Sequence, residues 1–351
     1  MNVLVTGAAG FIGAFVARRL LTRGDRVTGI DNLNDYYDPE LKARRLSDLL
    51  GVKGDLSKWG EPLHSDTFES FTFLRINLHD REAMETLMSE GSFDVVVNLA
   101  AQAGVRYSID HPYTYVESNV VGFLNVLEGC RHNGVKHLVY ASSSSVYGLN
   151  RNVPYSEHHS IAHPVSLYAA TKKSNELMAH AYSQLYGIPV TGLRFFTVYG
   201  PWGRPDMSPF LFADAMLHDR PIKVFNNGDM YRDFTCIHDI VEGVMRIIDT
   251  PPAADPGWQP DTPDPASSSA PYRVYNIGNS SPVRLMDFIA AIEKAIGREA
   301  QKQFLPMQPG DVLGTYADTE ALSAATGFKP STPLQEGIDE TVRWFKEYYN
   351  L

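Results

Sequence analysis

Cysteine is nearly missing from this 351-residue chain, in which Cys130 and Cys236 are the only two. Two unpatterned thiols cannot build a disulfide framework or a four-ligand structural zinc site, and they suit a reducing compartment. Long apolar runs are missing too, with no stretch near the ~20 residues that span a bilayer. No basic segment precedes Asn2, where an apolar strand pattern begins at once, so the expectation is a cytoplasmic protein with no membrane partner. Positive charge is in deficit: 31 Lys and Arg face 41 Asp and Glu, a net charge of -10. That balance excludes general binding to nucleic acid and requires a local basic pocket for any anionic ligand. What is present is enough apolar residue to build a core, 44% against 21% charged. The length exceeds one compact core and predicts two parts, or one large sheet domain with a cap.

Residues Asn2 to Thr6 read as a short apolar strand, followed by a glycine turn and a helical pattern that ends near Gly24. Further strands are expected at Arg26 to Ile30, Thr72 to Ile76, Val95 to Leu99, His137 to Ala141, Pro189 to Phe195 and Val274 to Ile277. Helical patterns lie between most of them. Parallel pairing needs crossover connections, so the order predicts an α/β fold with a doubly wound parallel Rossmann sheet. After about Gly200, prolines crowd segments whose regular elements are short, which marks a smaller C-terminal α/β lobe. The division expected is a cofactor domain over 1–198, to which the chain returns around 233–279, and a substrate lobe over 199–351. Residues Leu33 to Ser65, with a helical, mixed-charge stretch from Asp38 to Leu50, read as an insertion covering the cofactor. The tract Pro251 to Pro271, rich in Pro, Asp, Ser and Ala, is expected to be an exposed, disordered loop.

Gly7, Gly10 and Gly13 form a GxxGxxG run directly after a strand and at the mouth of a helix. Glycines there permit a tight turn, close approach of backbone N–H groups to a pyrophosphate, and helix-on-strand packing. Asp31 ends the second strand, where a carboxylate accepts from a ribose 2'-OH and repels a 2'-phosphate, so NAD is favoured over NADP. The plainer alternative is a structural glycine turn followed by a solvated Asp. Asn98 to Ala103 closes another strand with small residues, suiting a backbone run past adenosine or equally a tight strand-to-loop packing.

Ser142 to Ser145 follow the strand beginning at His137 and stand at a carboxyl strand end, where open α/β sheets place ligands. The helix expected over Leu167 to Tyr186 carries Tyr168 and Lys172 at i and i+4, on one face. An ammonium beside a phenol favours the phenolate and fits it for general-base work. An incidental surface pair is the ordinary alternative. In order with the glycine turn, Asp31 and Ser143, the pair describes hydride transfer to a bound nicotinamide with a phenolic base.

With these pieces in place the chain resembles the extended short-chain dehydrogenase/reductase family, and within it the UDP-sugar 4-epimerases. The resemblance covers essentially the whole chain and is strongest to the subgroup acting on UDP-glucuronate. Its strings run Asp31-Asn32-Leu33-Asn34-Asp35-Tyr36-Tyr37-Asp38, Gln102-Ala103-Gly104-Val105-Arg106-Tyr107-Ser108, Tyr168-Ala169-Ala170-Thr171-Lys172-Lys173, Arg194 through Met207, and Met307 through Val312. It implies a catalytic set of Ser143, Tyr168 and Lys172, with Ser144 or Ser145 as alternatives for the serine. It further implies NAD contacts from Gly7, Ala9, Gly10, Phe11, Ile12, Gly13, Asp31, Asn32, Asn77, Leu78, Leu99, Ala100, Ala101, Gln102, Asn119, Tyr168 and Lys172. For a UDP-sugar it implies Gln102, Arg106, Thr197, Arg204, Asn226, Arg232 and Asp311, with Arg232 toward the diphosphate and Thr197 and Arg204 toward a C6 carboxylate. Asn77 departs from the Asp that many relatives carry near adenine. Thr197 departs from the Asn usual in galactose-type epimerases, which favours an acidic sugar. An alternative for Arg232 is a surface Arg capping Asp233. His159 and His163 are spaced for a metal, yet Pro164 discourages a continuing helix, and no metal is assigned. The resemblance also implies a homodimer through helices that include Gly122 to Cys130 and Asn175 to Tyr186. Rival readings are a UDP-galactose 4-epimerase or a UDP-glucuronate decarboxylase on the same scaffold, or a non-catalytic NAD-binding scaffold.

Overall fold

A computed structural model describes residues 1–308 and 313–351. It divides into two compact units, one of residues 1–151, 157–194 and 244–275, the other of 152–156, 195–243 and 276–351.

The first unit is built on an eight-stranded sheet in the order Tyr272–Ile277, Val190–Phe195, His137–Ser143, Val95–Asn98, Asn2–Thr6, Arg26–Asp31, Phe71–Arg75, Leu63–His64. Pairing is parallel from His137–Ser143 across to Phe71–Arg75. The short edge strand Leu63–His64 runs antiparallel. Val3, Leu4 and Val5 are all fully buried. Burial without alternation is what a sheet covered on both faces imposes. Strand Asn2–Thr6 lies where the order reverses: Arg26–Asp31 continues to one side and Val95–Asn98 to the other. The carboxyl ends of such a pair border the crevice in which open α/β sheets bind ligands.

The helix Phe11–Arg23 closes with Gly24 at φ 96. The helix Leu167–Tyr186 opens on Ser166, whose side chain accepts from Ala169 N, and ends at left-handed Gly187. Both glycines take a conformation that a Cβ would strain.

The expectation of disorder over Pro251 to Pro271 is corrected. The tract forms no long element, but Asp255 N donates to Ser268 O at 2.9 Å and Trp258 Nε1 to Asp264 O at 3.3 Å. Ala266, Ser267, Ser268 and Ala270 are buried, and Asp264 accepts from Ala266 N and Ser267 Oγ. Local Asx-type hydrogen bonds supply the order that apolar content does not.

The second unit carries a three-stranded sheet in the order Pro282–Arg284, Tyr231–Cys236, Thr197–Tyr199, and a parallel pair of Ile222–Val224 with Lys302–Phe304. Around them pack the helices Ser208–Leu217, Leu285–Ile296 and Leu334–Tyr349. Rings dominate its core, with Phe234 stacked on Phe288 at 3.9 Å and Phe210 edge-on to Phe345 at 4.9 Å. Among the described residues no helix is long and apolar enough to cross a membrane.

Candidate active site

Gly7 adopts φ 72, and a Cβ built on it would lie 2.8 Å from Ala100 N. A Cβ on Gly13 would fall 2.0 Å from Gly7 O, so the first helical turn rests directly on the glycine turn. Gly10 begins the helix with no side-chain cap. The backbone N–H groups of that first turn are therefore left for an anion at the positive end of the helix dipole. A turn that a single methyl group would fill, opening on uncapped N–H groups, fits a dinucleotide pyrophosphate.

Asp31 sits beside this turn. Its Oδ2 accepts from Ala9 N at 3.3 Å and its Oδ1 from Leu33 N at 2.9 Å. The opposite face of Ala9 is held as well: Arg45, fully buried in the π-helical turn Arg45–Leu49, donates from Nη1 to Ala9 O at 3.1 Å and to Tyr37 Oη at 2.7 Å. Lys42, also buried, donates to Asn34 O and Oδ1. Asn34 Nδ2 donates to Gln102 Oε1 at 3.4 Å, and Asn32 Nδ2 to Asn77 Oδ1 at 2.8 Å. The insertion after the second strand is thus tied to the glycine turn and to the Gln102 loop. Sequence reasoning missed Lys42 and Arg45; the only signal was their place in the mixed-charge helical stretch.

At the neighbouring strand end, Leu99 N donates to Thr6 O and Ala100 N to Thr6 Oγ1, while Thr6 Oγ1 donates to Asn98 Oδ1 at 2.7 Å. Asn119 is buried and spends its amide internally. Its Oδ1 accepts from Gln102 N at 2.8 Å, and its Nδ2 donates to Gln102 O at 3.0 Å and to Thr171 Oγ1 at 3.1 Å. This side chain positions the Gln102 loop against the helix bearing Tyr168. Leu78 is buried beneath Gly122, where a Cβ would meet the Leu78 Cβ at 2.7 Å. Phe11 is buried, whereas Ile12 and Ala101 are half-buried.

Strand His137–Ser143 delivers the serines, and alternation along it sends Ser142 and Ser143 to opposite faces. Ser142 Oγ, on the other face, donates to Glu176 Oε1 at 2.6 Å. Ser143 accepts from Ser145 N at 3.2 Å and donates to Ser145 Oγ at 3.1 Å. Ser144 and Ser145 belong to the following 3-10 turn and are half-buried. On the helix Leu167–Tyr186, Tyr168 is half-buried with its ring edge-on to Tyr115 at 6.1 Å. Lys172 is buried and donates from Nζ to Ala141 O at 2.8 Å. Burial brings its ammonium down to about 8. One turn further, Glu176 pairs with buried Arg194, which also donates to Tyr147 Oη at 3.0 Å. Burial opposes the charge on Arg194, but Glu176 and Tyr147 outweigh it and raise its pKa. Glu176 was not foreseen, although its position at i+8 from Tyr168 and i+4 from Lys172 places it on their stripe.

Arg106 is exposed at the start of the helix Tyr107–Asp110. In the second unit, half-buried Thr197 begins the strand Thr197–Tyr199 and pairs with Phe234. Arg204 forms an ion pair with Asp206. Arg232 donates from Nη1 to Tyr231 O at 2.9 Å and to Leu313 O at 3.1 Å. Asp233 is not capped by it: that carboxylate is buried and accepts from Asn279 N and Ala317 N. Burial raises Asp233, and those backbone donors pull the other way. Asn226 has φ 48 and donates from Nδ2 to Asp229 O at 2.6 Å. Asp311 lies outside the described residues.

A family model described as "NAD dependent epimerase/dehydratase family" matches residues 3–278. The chain is 45% identical over 350 residues to "Probable UDP-glucuronate 4-epimerase" of Rhizobium meliloti (strain 1021), covering 99% of this chain and 98% of that protein. Among solved structures it resembles the UDP-glucuronic acid 4-epimerase from Bacillus cereus in complex with UDP-glucuronic acid and NAD, at TM-score 0.84 and 31% identity, over 99% of this chain and 100% of the other. It is also similar to the UDP-glucose 4-epimerase with UDP-glucose from Thermotoga maritima, at TM-score 0.81 and 27% identity, over 99% and 100%.

Proposed function

We propose that this chain, which belongs to the NAD dependent epimerase/dehydratase family, inverts C4 of UDP-glucuronate to give UDP-galacturonate through a 4-keto sugar. The observation that carries the reading is full-length likeness to the Bacillus cereus UDP-glucuronic acid 4-epimerase in complex with UDP-glucuronic acid and NAD. When bound, NAD serves as the acceptor of hydride from C4 and as its donor on return, so net redox is zero and the enzyme is an isomerase.

The chain's own residues do the rest. The glycine turn of Gly7, Gly10 and Gly13 takes the pyrophosphate, with Ala9, Phe11 and Ile12 lining it, and Asp31 takes the adenosine ribose. Tyr168, as phenolate, accepts the proton of the sugar 4-OH, and Ser143 shares it through its hydroxyl. The Lys172 ammonium favours that phenolate. Return to the opposite face of C4 requires the sugar to turn about its diphosphate link while the nucleotide stays held. Arg232, Asn226 and Asp311 are assigned to the nucleotide side, Gln102 and Arg106 to the sugar, and Thr197 and Arg204 to the C6 carboxylate.

We assign the protein to the cytoplasm, supported by its two free, buried thiols. Its assigned state is a homodimer joined through the helices Gly122–His132 and Leu167–Tyr186, on which Leu124, Leu177 and Leu185 are exposed. Incubation of the purified protein with UDP-glucuronate or UDP-glucose, followed by chromatography, tests the function. The expected product is UDP-galacturonate from the first substrate; preferential turnover of UDP-glucose, or release of a UDP-pentose, refutes the assignment.

A further inference from the structure

Among the described residues, one set of three His, Cys, Asp or Glu side chains converges closely enough to hold a metal ion: Cys236, His238 and Glu340, whose ligand atoms lie within 4.8 Å of one another. Cys236 ends the strand Tyr231–Cys236, His238 stands in the first turn of the helix Ile237–Ile248, and Glu340 projects from the helix Leu334–Tyr349. The strand-to-helix corner therefore presents sulfur and nitrogen from i and i+2, and the C-terminal helix supplies oxygen. His159 and His163, the pair spaced for a metal in the sequence, are not part of this set.

We propose that Cys236, His238 and Glu340 form a binding site for a thiophilic divalent cation, of which Zn2+ is the type, held by three protein ligands with a fourth position open to water. The donor set of thiolate, imidazole and carboxylate suits Zn2+ and excludes Mg2+ and Ca2+, which take oxygen. His238 Nε2 stands 3.0 and 2.9 Å from the two Glu340 oxygens. Tetrahedral bonds of about 2.0–2.1 Å to nitrogen and about 2.0–2.2 Å to oxygen put those donors roughly 3.4 Å apart, so entry of the ion opens this pair by a few tenths of an ångström. The movement falls on the two exposed or half-exposed side chains, with the His238 side chain 50% and the Glu340 side chain 35% exposed, which also gives the ion a path from solvent. The thiol is buried, and because the three ligand atoms span up to 4.8 Å, the two solvent-facing ligands also swing toward the sulfur to share one ion.

The surroundings favour a cation. Asp239 and Glu340 act on Cys236, and Asp239, Glu336 and Glu340 act on the neighbouring Tyr199, all with negative charge. The backbone N–H of His238 and the side chain of Thr332 stand beside the Cys236 thiol, where they would serve as outer donors to a thiolate ligand. Ligation requires the thiolate, so the thiol proton is released to solvent as the metal–sulfur bond forms. An occupied site would clip the C-terminal helix to the strand Tyr231–Cys236.

The test uses the untagged holoenzyme, treated with chelator and titrated with Co2+ as a spectroscopic stand-in for Zn2+. The expected result is a thiolate-to-cobalt charge-transfer band saturating at one ion per chain and abolished by added Zn2+. Because the chain has only two cysteines, Cys130→Ala keeps the band and Cys236→Ser loses it. Glu340→Gln, a change on the partly exposed face of a helix, weakens Co2+ binding about tenfold or more. Each variant is checked for retained NAD and native circular dichroism. Absence of the band in folded holoenzyme, its survival in Cys236→Ser, or unchanged affinity in Glu340→Gln overturns the proposal. If Cys236→Ser does not fold, the Glu340→Gln titration decides alone.

Discussion

Glu176 grips Arg194 with both carboxylate oxygens, Nε to Oε1 at 3.0 Å and Nη2 to Oε2 at 3.0 Å, and both side chains are almost wholly removed from water. The same Oε1 takes the hydroxyl of Ser142. Three elements of the first unit meet in this knot: the helix that carries Tyr168 and Lys172, the strand that delivers Ser143, and the strand Val190–Phe195. A buried pair is worth little against an apolar replacement of both partners, but loss of one partner strands a charge. Arg194→Met is therefore expected to cost roughly 3–5 kcal/mol, seen as a lower Tm at fixed NAD concentration. The double variant with Glu176→Gln is expected to cost less than the sum of the single changes.

Arg45 bears on cofactor retention, because it fixes the carbonyl side of Ala9 while Asp31 takes the N–H. Hydrogen bonds from charged groups contribute about 1.5–3 kcal/mol, so Arg45→Met is expected to weaken NAD binding by about 10- to 100-fold. The NAD content of freshly purified protein and its release on dilution check this. Full retention in the variant contradicts a clamping role.

Lys172 gives a pH signature in cofactor-free protein. Burial lowers its folded-state value from 10.5 to about 8, whereas an unfolded chain keeps the ordinary value. Below about 8 both states carry the proton, and the cost of burying the charge is fully present. Between about 8 and about 10.4 the unfolded chain holds a proton that the folded one has released, so rising pH tends to stabilise the fold. Lys172→Met should therefore unfold at higher denaturant than wild type near neutrality, with an advantage that narrows as pH climbs past 8. Parallel denaturant titrations measure the gap, and a widening gap contradicts the assignment.

How much of this was legible before the structure depends on the kind of signal. The strand Asn2–Thr6 and the helix Leu167–Tyr186 read to the residue, since one is centred on the apolar run Val3-Leu4-Val5 and the other is bounded by Ser166 and Gly187. The glycine turn read equally well, because its steric demand leaves few residue choices. Arg45 and Glu176 did not, since a charged residue on a helix is ordinarily solvated and only tertiary contacts bury it. The three-residue strands of the second unit lie below the length at which period-2 alternation can be recognised. The Pro251 to Pro271 tract misled because its order comes from backbone and side-chain hydrogen bonds between separated residues, which composition does not reveal.

The role proposed for Thr197 bears on product fidelity. A 4-keto hexuronate is a β-keto acid, and it keeps its carboxylate only while the breaking C–C bond stays near the carbonyl plane. If the Thr197 hydroxyl helps hold that geometry at a worth of about 1 kcal/mol, Thr197→Ala raises the ratio of carbon dioxide to UDP-galacturonate about fivefold. Product chromatography with carbon dioxide capture reads the ratio directly, and an unchanged value removes Thr197 from this role.

The central claim is that C4 loses and regains the same hydride while Tyr168 moves the hydroxyl proton. UDP-glucuronate deuterated at C4, incubated with the protein without added NAD and followed by NMR, tests it most directly. The account predicts UDP-galacturonate that retains deuterium at C4, formed at a rate that Tyr168→Phe lowers by about 100- to 10,000-fold. Washout of the label to solvent, inversion at another carbon, or undiminished turnover in Tyr168→Phe would contradict it.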